Sequence, residues 1–235
     1  MFEFMKYTHF FLIALLLKAA LCQAQKQPTV NVGMDIGAGF ENSSLAPSIF
    51  YHEDLSVRGL HWLQFGVGIR AAGYYTGATD LLSTNDAISS DTLRYNRLSA
   101  NTISFVAGMN LRFWKLNLGF NTDLVNLAFG ERRSGFYLKR HLPADSVTHY
   151  NQFVPTIPAV FNFMPVATPN QNGISEVYAR VWLSRKIGLK MAYLFGRQTY
   201  TTRINKKSQI VLDNGQRRFS TIYKMPYLAI CFSLL

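Results

Sequence analysis

The chain has 235 residues, a formal net charge of +11, 49% hydrophobic residues and a mean hydropathy of +0.04. That length holds one full domain. The near-zero hydropathy excludes a bundle of membrane helices, because beyond the N-terminus no run approaches the ~20 apolar residues such a helix needs. A basic chain points to nucleic acid or to an anionic lipid surface. No basic helix or aromatic RNA-binding motif is present, and the exported character described next favours the lipid surface.

The N-terminus reads as a signal peptide over residues 1–24, with Lys6 as the positive charge and Phe10 to Leu17 as the apolar segment. Cys22-Gln23-Ala24 places small residues at the −3 and −1 positions, so cleavage is expected after Ala24, leaving Gln25 first. A lipoprotein site at Cys22 is disfavoured because Leu21 stands where a small residue is needed. The mature chain then keeps Cys231 alone, and a disulfide within it is impossible.

From residue 25 the chain reads as a single domain of β-strands. The first runs from about Thr29 to Phe40, with Val30, Val32, Met34, Ile36, Ala38 and Phe40 on one face and Asn31, Gly33, Asp35, Gly37 and Gly39 on the other. The second spans roughly Pro47 to Val57; its alternation is broken and its faces stay unassigned. A tight turn over Arg58-Gly59-Leu60 leads to a third strand, His61 to Tyr75, with Leu63, Phe65, Val67, Ile69 and Ala71 outward and Gln64, Gly66, Gly68 and Arg70 inward. A polar loop from Thr76 to Asn96 follows.

The clearest alternation lies in Asn101 to Phe129. Ile103, Phe105, Ala107, Met109, Leu111 and Phe113 form one apolar set, and Leu116, Leu118, Phe120 and Leu124 resume it after Trp114-Lys115. This is a hairpin of the fourth and fifth strands. A long loop covers about Gly130 to Gly173, basic at its start and rich in Pro and Phe towards its end. The sixth strand is Ile174 to Ser184 with Val177, Ala179, Val181 and Leu183 outward, the seventh about Ile187 to Thr202, and the eighth Arg217 to Leu235.

Short connections at Arg58 to Leu60, Trp114-Lys115 and Arg185-Lys186 alternate with mostly longer ones. Long strands with one apolar face, an even strand number and this loop asymmetry predict an all-β fold. They specify an eight-stranded antiparallel transmembrane β-barrel with long extracellular loops, or ten strands if the long loop adds a hairpin. Trp62, Tyr74, Tyr75, Trp114, Phe129 and Tyr200 fall near strand ends, where an aromatic girdle would sit. A soluble lipocalin-like binder is the alternative, but it would place its bulky residues inside.

The pieces HWLQFGVGIRAAGYY, LGFNTDLVNLAFG and FNFMPVATPNQNGISEVYARVWLSRKIGLKMAYLF, with the Ala24-Gln25 site, resemble small outer-membrane β-barrel proteins of Bacteroidota. The resemblance implies the barrel fold and the outer membrane, and it carries over no activity. By analogy with one relative class, an accessory role in a secretion apparatus is open.

Three places are candidates for function. By alternation Asp35, Asp123 and Glu176 point inward, with Arg70, Arg112, Arg180 and Lys190. Buried at that density they must pair, so the leading expectation is an ion-pair network that plugs the lumen; a narrow passive pore or a proton or ligand site are the alternatives. The long loop is expected as a lid over the mouth or as a partner surface, since loops of this length are functional or disordered and this one holds Phe153, Phe161 and Phe163. Arg94, Arg97, Arg132, Arg133, Lys139, Arg140, Arg203, Lys206, Lys207, Arg217 and Arg218 fall near the outer rim and form an expected cationic collar for anionic glycolipid.

No catalytic motif stands out. His52, His61, His141 and His149 read as solvated loop or strand-end residues, so the chain is expected to be non-enzymatic, with a lipid-modifying enzyme as the alternative. No spacing suggests a metal site or another cofactor. Asp91-Thr92-Leu93 and Asp145-Ser146-Val147 match a three-residue O-glycosylation pattern that chance also supplies. The role left is structural, or an interaction through the loops.

Overall fold

The computed structural model describes residues 30–83, 91–138, 149, 151–165, 167–203, 212, 215 and 217–234. The segment expected as a signal peptide, with its expected cleavage site, lies outside them. The described residues form thirteen strands: β1 (Val30–Glu41), β2 (Ser44–Val57), β3 (Leu60–Thr76), β4 (Thr79–Ser83), β5 (Thr92–Tyr95), β6 (Leu98–Phe113), β7 (Leu116–Phe129), β8 (Arg133–Leu138), β9 (Phe153–Pro158), β10 (Phe161–Phe163), β11 (Gly173–Trp182), β12 (Ile187–Thr202) and β13 (Arg218–Ser233). All belong to one antiparallel sheet.

Eight of these strands are long, from 10 residues in β11 to 17 in β3. Their pairings run β1–β2–β3–β6–β7–β11–β12–β13 and return to β1, a ring-like order. The returning pair sets Asp35 opposite Cys231 and Gly39 opposite Tyr227. Among the described residues each long strand therefore has a partner on both sides, while the short β10 is paired on one side, to β7.

The two faces differ sharply, as the period of two requires. Ile36, Ile49, Phe65, Val67, Phe105, Phe120, Val177, Met191 and Ile230 stand exposed on the outward face. Asp35, Gln64, Arg70, Ser104, Asn121, Asp123, Glu176, Arg180 and Lys190 are buried on the inward face. This is the reverse of a soluble sheet, which turns its apolar set inward. Glu53 and Lys224 interrupt the outward set, and the Tyr51 hydroxyl donates to Glu53 Oε1 at 2.6 Å.

One end of the ring carries the tight turns at Arg58-Gly59, Trp114-Lys115 and residues 183–186. Gly59 has φ 81° and Trp114 has φ 53°. At the other end the connection between β1 and β2 is only Asn42-Ser43, with Asn42 at φ 46°, so it is not one of the longer loops. Two of the other three connections at this end differ from their sequence reading. The polar loop after β3 contains β4 and β5, and the long loop contains β8, β9 and β10. The strand count is thus thirteen where eight, or ten, were expected.

The short strands have a reason. β4, β5, β8 and β9 pair in series from β13 round to β12 and enclose a second core of Leu81, Leu93, Tyr95, Leu98, Tyr137, Val154, Tyr200, Leu212 and Phe219. β11 stops at Gly173, and β9 and β10 fill the wall beyond it: Pro158 pairs with Tyr200 of β12, and Phe161 with Leu127 of β7. The Phe-rich segment expected as a lid is in this part built into the sheet.

Two smaller readings also change. Leu124 is the extra residue of a bulge, because Phe105 pairs with Val125 while Val106 pairs with Asp123. The outward set of β7 therefore switches there to Leu127 and Phe129. Tyr74 and Tyr200 are buried and do not join an aromatic girdle. Tyr74 stacks on Tyr223 with ring centroids 4.0 Å apart.

Candidate functional site

The interior of the ring holds a continuous network of charge. On β1, Asp35 is fully buried and accepts from Arg180 Nη2 at 2.9 Å and from Lys190 Nζ at 3.1 Å. Lys190 also donates to Glu176, and Glu176 accepts from Arg70 at 3.1 Å. Arg70 continues to Asp123 at 3.2 Å and to Asn121. Asp123 accepts further bonds from Ser104 and from the Ile174 amide, both at 2.9 Å. Six of the seven interior residues singled out in the sequence meet in this chain. Burial of each is offset by at least one opposite charge, as it must be.

The seventh does not join. Arg112 is exposed at the short-turn end, where its guanidinium donates to Asn31 Oδ1 at 3.4 Å. It sits one residue from the end of β6, so the inward alternation carries it out of the ring and not into its centre.

Two further members come from β2. His52 is buried, with Nδ1 3.2 Å from Asp54 Oδ2 and Nε2 3.1 Å from Arg180 Nη2 and 3.5 Å from Asp35. Asp54 also lies 3.8 Å from Arg180. This corrects the reading of His52 as a solvated residue. Phe50, from the same inward set, lies under Arg70 at 4.9 Å and Lys190 at 5.6 Å. Tyr178 takes Lys190 at 4.5 Å and Arg180 at 5.3 Å. Each of these cations thus has at least one aromatic ring beside it as well as carboxylates. Cys231 is buried on the same face.

Towards the long-loop end three asparagines continue the polar interior. Asn162 donates to Asn126 Oδ1 at 3.3 Å and its own Oδ1 accepts from the Asn172 amide at 2.9 Å. Asn172 also donates to the Ala159 carbonyl at 2.9 Å and accepts from the Thr199 amide. The side chains satisfy backbone groups that the break in β11 would leave unpaired. Their signal in the sequence is weak, because a polar loop also contains asparagine.

Of the expected collar, Arg94, Arg97, Arg132 and Arg133 line one open cavity of about 590 Å³ at the long-loop end, together with Tyr95, Phe136 and Phe153. Arg94 is clamped by Asp80 through two bonds of 3.0 and 3.1 Å, and that carboxylate raises its pKa above the ordinary arginine value. Arg133 pairs with Glu131 at 2.6 Å. Arg97 and Arg132 make no ion pair with an acid among the described residues, so the uncompensated charge of the cavity is theirs. Arg203, Arg217 and Arg218 stand outside this cavity; Arg218 donates to the Asn170 carbonyl at 3.2 Å. Lys139, Arg140, Lys206 and Lys207 lie outside the described residues.

Asp91 of the first glycosylation-like tripeptide is buried and accepts from Tyr137 Oη at 2.6 Å, which makes it part of the wall of the second core. The second tripeptide, and His141, lie outside the described residues. Among the described residues no group of three or more His, Cys, Asp and Glu is placed to hold a metal ion. No protein-family model matches the chain, and no curated protein matches it.

Proposed function

We propose that the chain is an eight-stranded outer-membrane β-barrel, non-enzymatic, whose lumen is plugged by its own side chains and whose extracellular end serves a structural or interaction role. The observation that carries this reading is the inversion of the two faces. Leu, Ile, Val and Phe residues stand exposed all round the ring while Arg180, Lys190, Asp35 and Glu176 are buried within it. Water disfavours a contiguous apolar surface of that extent, and hydrocarbon tolerates a sheet only when no edge is open. In this reading β1, β2, β3, β6, β7, β11, β12 and β13 cross the bilayer. The short turns face the periplasm, and β4, β5, β8 and β9 build an extracellular annex.

An interior eight strands wide has room for side chains and little else. The ion pairs and the rings of Phe50, Tyr178 and Tyr227 occupy it, which favours a closed barrel over a passive pore. The ring of His52 is held within the ion-pair network, with Nδ1 3.2 Å from Asp54 and Nε2 3.1 Å from Arg180 and 3.5 Å from Asp35. That supports the non-enzymatic reading. Separation of cell envelopes is expected to recover the protein with the outer membrane, and the purified protein is expected to leave a planar bilayer silent. Recovery in the soluble periplasmic fraction without detergent removes the membrane reading. Steady single-channel openings remove the plugged lumen and leave the barrel.

The basic cavity supplies the partner. A phosphorylated glycolipid places anions at the outer rim, where arginine offers a two-pronged match to phosphate. Because Arg94 and Arg133 are already paired, the double variant Arg97→Ala/Arg132→Ala is expected to lower glycolipid retention in native mass spectrometry about tenfold, the effect of one or two lost charge-assisted bonds. Arg94→Ala alone is expected to change retention little. Equal retention by the double variant and the parent protein removes this lipid site.

A further inference from the structure

We propose that the cavity at the short-turn end binds an organic monocarboxylate that carries a flat, apolar group. The inference rests on the ring of strands and not on where the ring resides. The cavity is about 470 Å³, within the range of small-molecule sites. It lies at the opposite end from the arginine cavity described above, and it shares Arg180, His52 and Asp54 with the ion-pair network at its inner side.

Its charge is predominantly positive. Arg112, Lys115 and Arg185 line it, and none of the three forms an ion pair with an acid among the described residues. Its inner end is Arg180, 1% exposed, whose Nη atoms serve Asp35, His52 and Asp54 while Nε has no hydrogen-bond partner. Asn31 Nδ2, beside Arg112, is a second buried donor without a partner. A buried donor left unmade is unfavourable, so acceptor atoms brought to this wall by a ligand are favoured at these two donors, while Asn117 Oδ1 is an unpartnered acceptor in the same lining. Asp54 is the one carboxylate among the described lining residues, and it is held by His52 and Arg180. Its charge repels a second negative charge on the ligand, so the fit is to a monoanion.

The apolar half of the ligand is read from the two indoles. Trp114 and Trp182 both line the cavity. Trp114 is 86% exposed and held at φ 53° in a two-residue turn. Glycine or asparagine is the ordinary residue for that conformation, and a bulky side chain is disfavoured in it. A costly backbone bearing an unburied indole beside a donor-rich cavity points to a role for the ring. Lys115 Nζ lies 5.1 Å over the Trp114 ring, so cation and flat face are presented together.

The chain holds 3 tryptophans, and two of them line the site, so intrinsic fluorescence reads it directly. Protein folded in detergent is titrated with sodium benzoate, with benzamide as the neutral molecule of the same shape. Saturable quenching by benzoate with a dissociation constant of about 1 mM or tighter, and none by benzamide, is the expected result. Arg112→Ala/Arg185→Ala removes two exposed charges and is expected to weaken benzoate about tenfold with the strand circular dichroism unchanged. Trp114→Gly is expected to weaken it too, while relieving the turn and leaving the fold at least as stable. Arg97→Ala, at the other end, is expected to change nothing. N-acetylphenylalanine and its amide distinguish the source: tighter binding of this acid than of benzoate marks a chain terminus, and the reverse marks a free acid. Quenching that is linear, equal for benzamide, or unchanged in the Arg112/Arg185 variant overturns the proposal.

Discussion

Replacing Asp35 by alanine is expected to destabilise the fold by about 3–5 kcal/mol, the typical cost of removing one partner from a buried ion pair. Asp35 is 0% exposed and anchors both Arg180 at 2.9 Å and Lys190 at 3.1 Å. Without it Lys190 keeps Glu176, but Arg180 is left with Asp54 at 3.8 Å. Arg112→Ala is the matched control: its charge is exposed, and a change of about 0.5 kcal/mol or less is expected. The measurement is the urea midpoint of the protein refolded in detergent, followed by the gel mobility of unheated samples. A midpoint for Asp35→Ala equal to that of the parent protein contradicts the network as described.

The same residues show why part of this was legible and part was not. Where a strand obeys the alternation on both faces, as β3 does from Leu63 to Ala71, its orientation follows from the sequence alone. β2 hides its orientation through two exceptions. Phe50 points inward because Arg70 and Lys190 use its ring, and Glu53 points outward because Tyr51 donates to it. With an aromatic inside and an acid outside, neither set of β2 looks apolar, and His52 and Asp54 go unassigned with it. A sequence window contains no term for a cation on another strand, so this site could be found only in three dimensions.

The annex strands were hidden for a different reason. Pro155 and Pro158 read as breakers, yet both lie in β9, a strand of 6 residues. A proline keeps its carbonyl, and that of Pro155 accepts from the Arg203 amide at 2.9 Å. Short strands whose partners are other loop segments have too little periodicity to register. The bulge at Leu124 is similar: one inserted residue exchanges the faces without changing composition. It is nonetheless consequential, because it sets Asn126 beside Asp123, where Asn126 donates to Ser104 at 2.9 Å.

A charge placed on the outward face gives the widest separation between a membrane-spanning ring and a soluble one. Ile69 is 56% exposed, midway along β3, between Tyr51 and Phe105 on the neighbouring strands. In water, Ile69→Arg changes an exposed side chain and is expected to cost about 0.5 kcal/mol or less. In hydrocarbon the same change near the midplane is expected to cost about 2–4 kcal/mol. Leu55→Arg is the depth control. Leu55 is also outward-facing but lies opposite Val30, near the short-turn end, where about 0–1 kcal/mol is expected. Urea titrations of the two variants refolded into phosphatidylcholine vesicles read this depth dependence directly. The cost of Ile69→Arg should exceed that of Leu55→Arg several-fold in vesicles. Equal, small costs at both positions mean that neither side chain meets hydrocarbon, and the apolar belt then needs a protein partner to cover it.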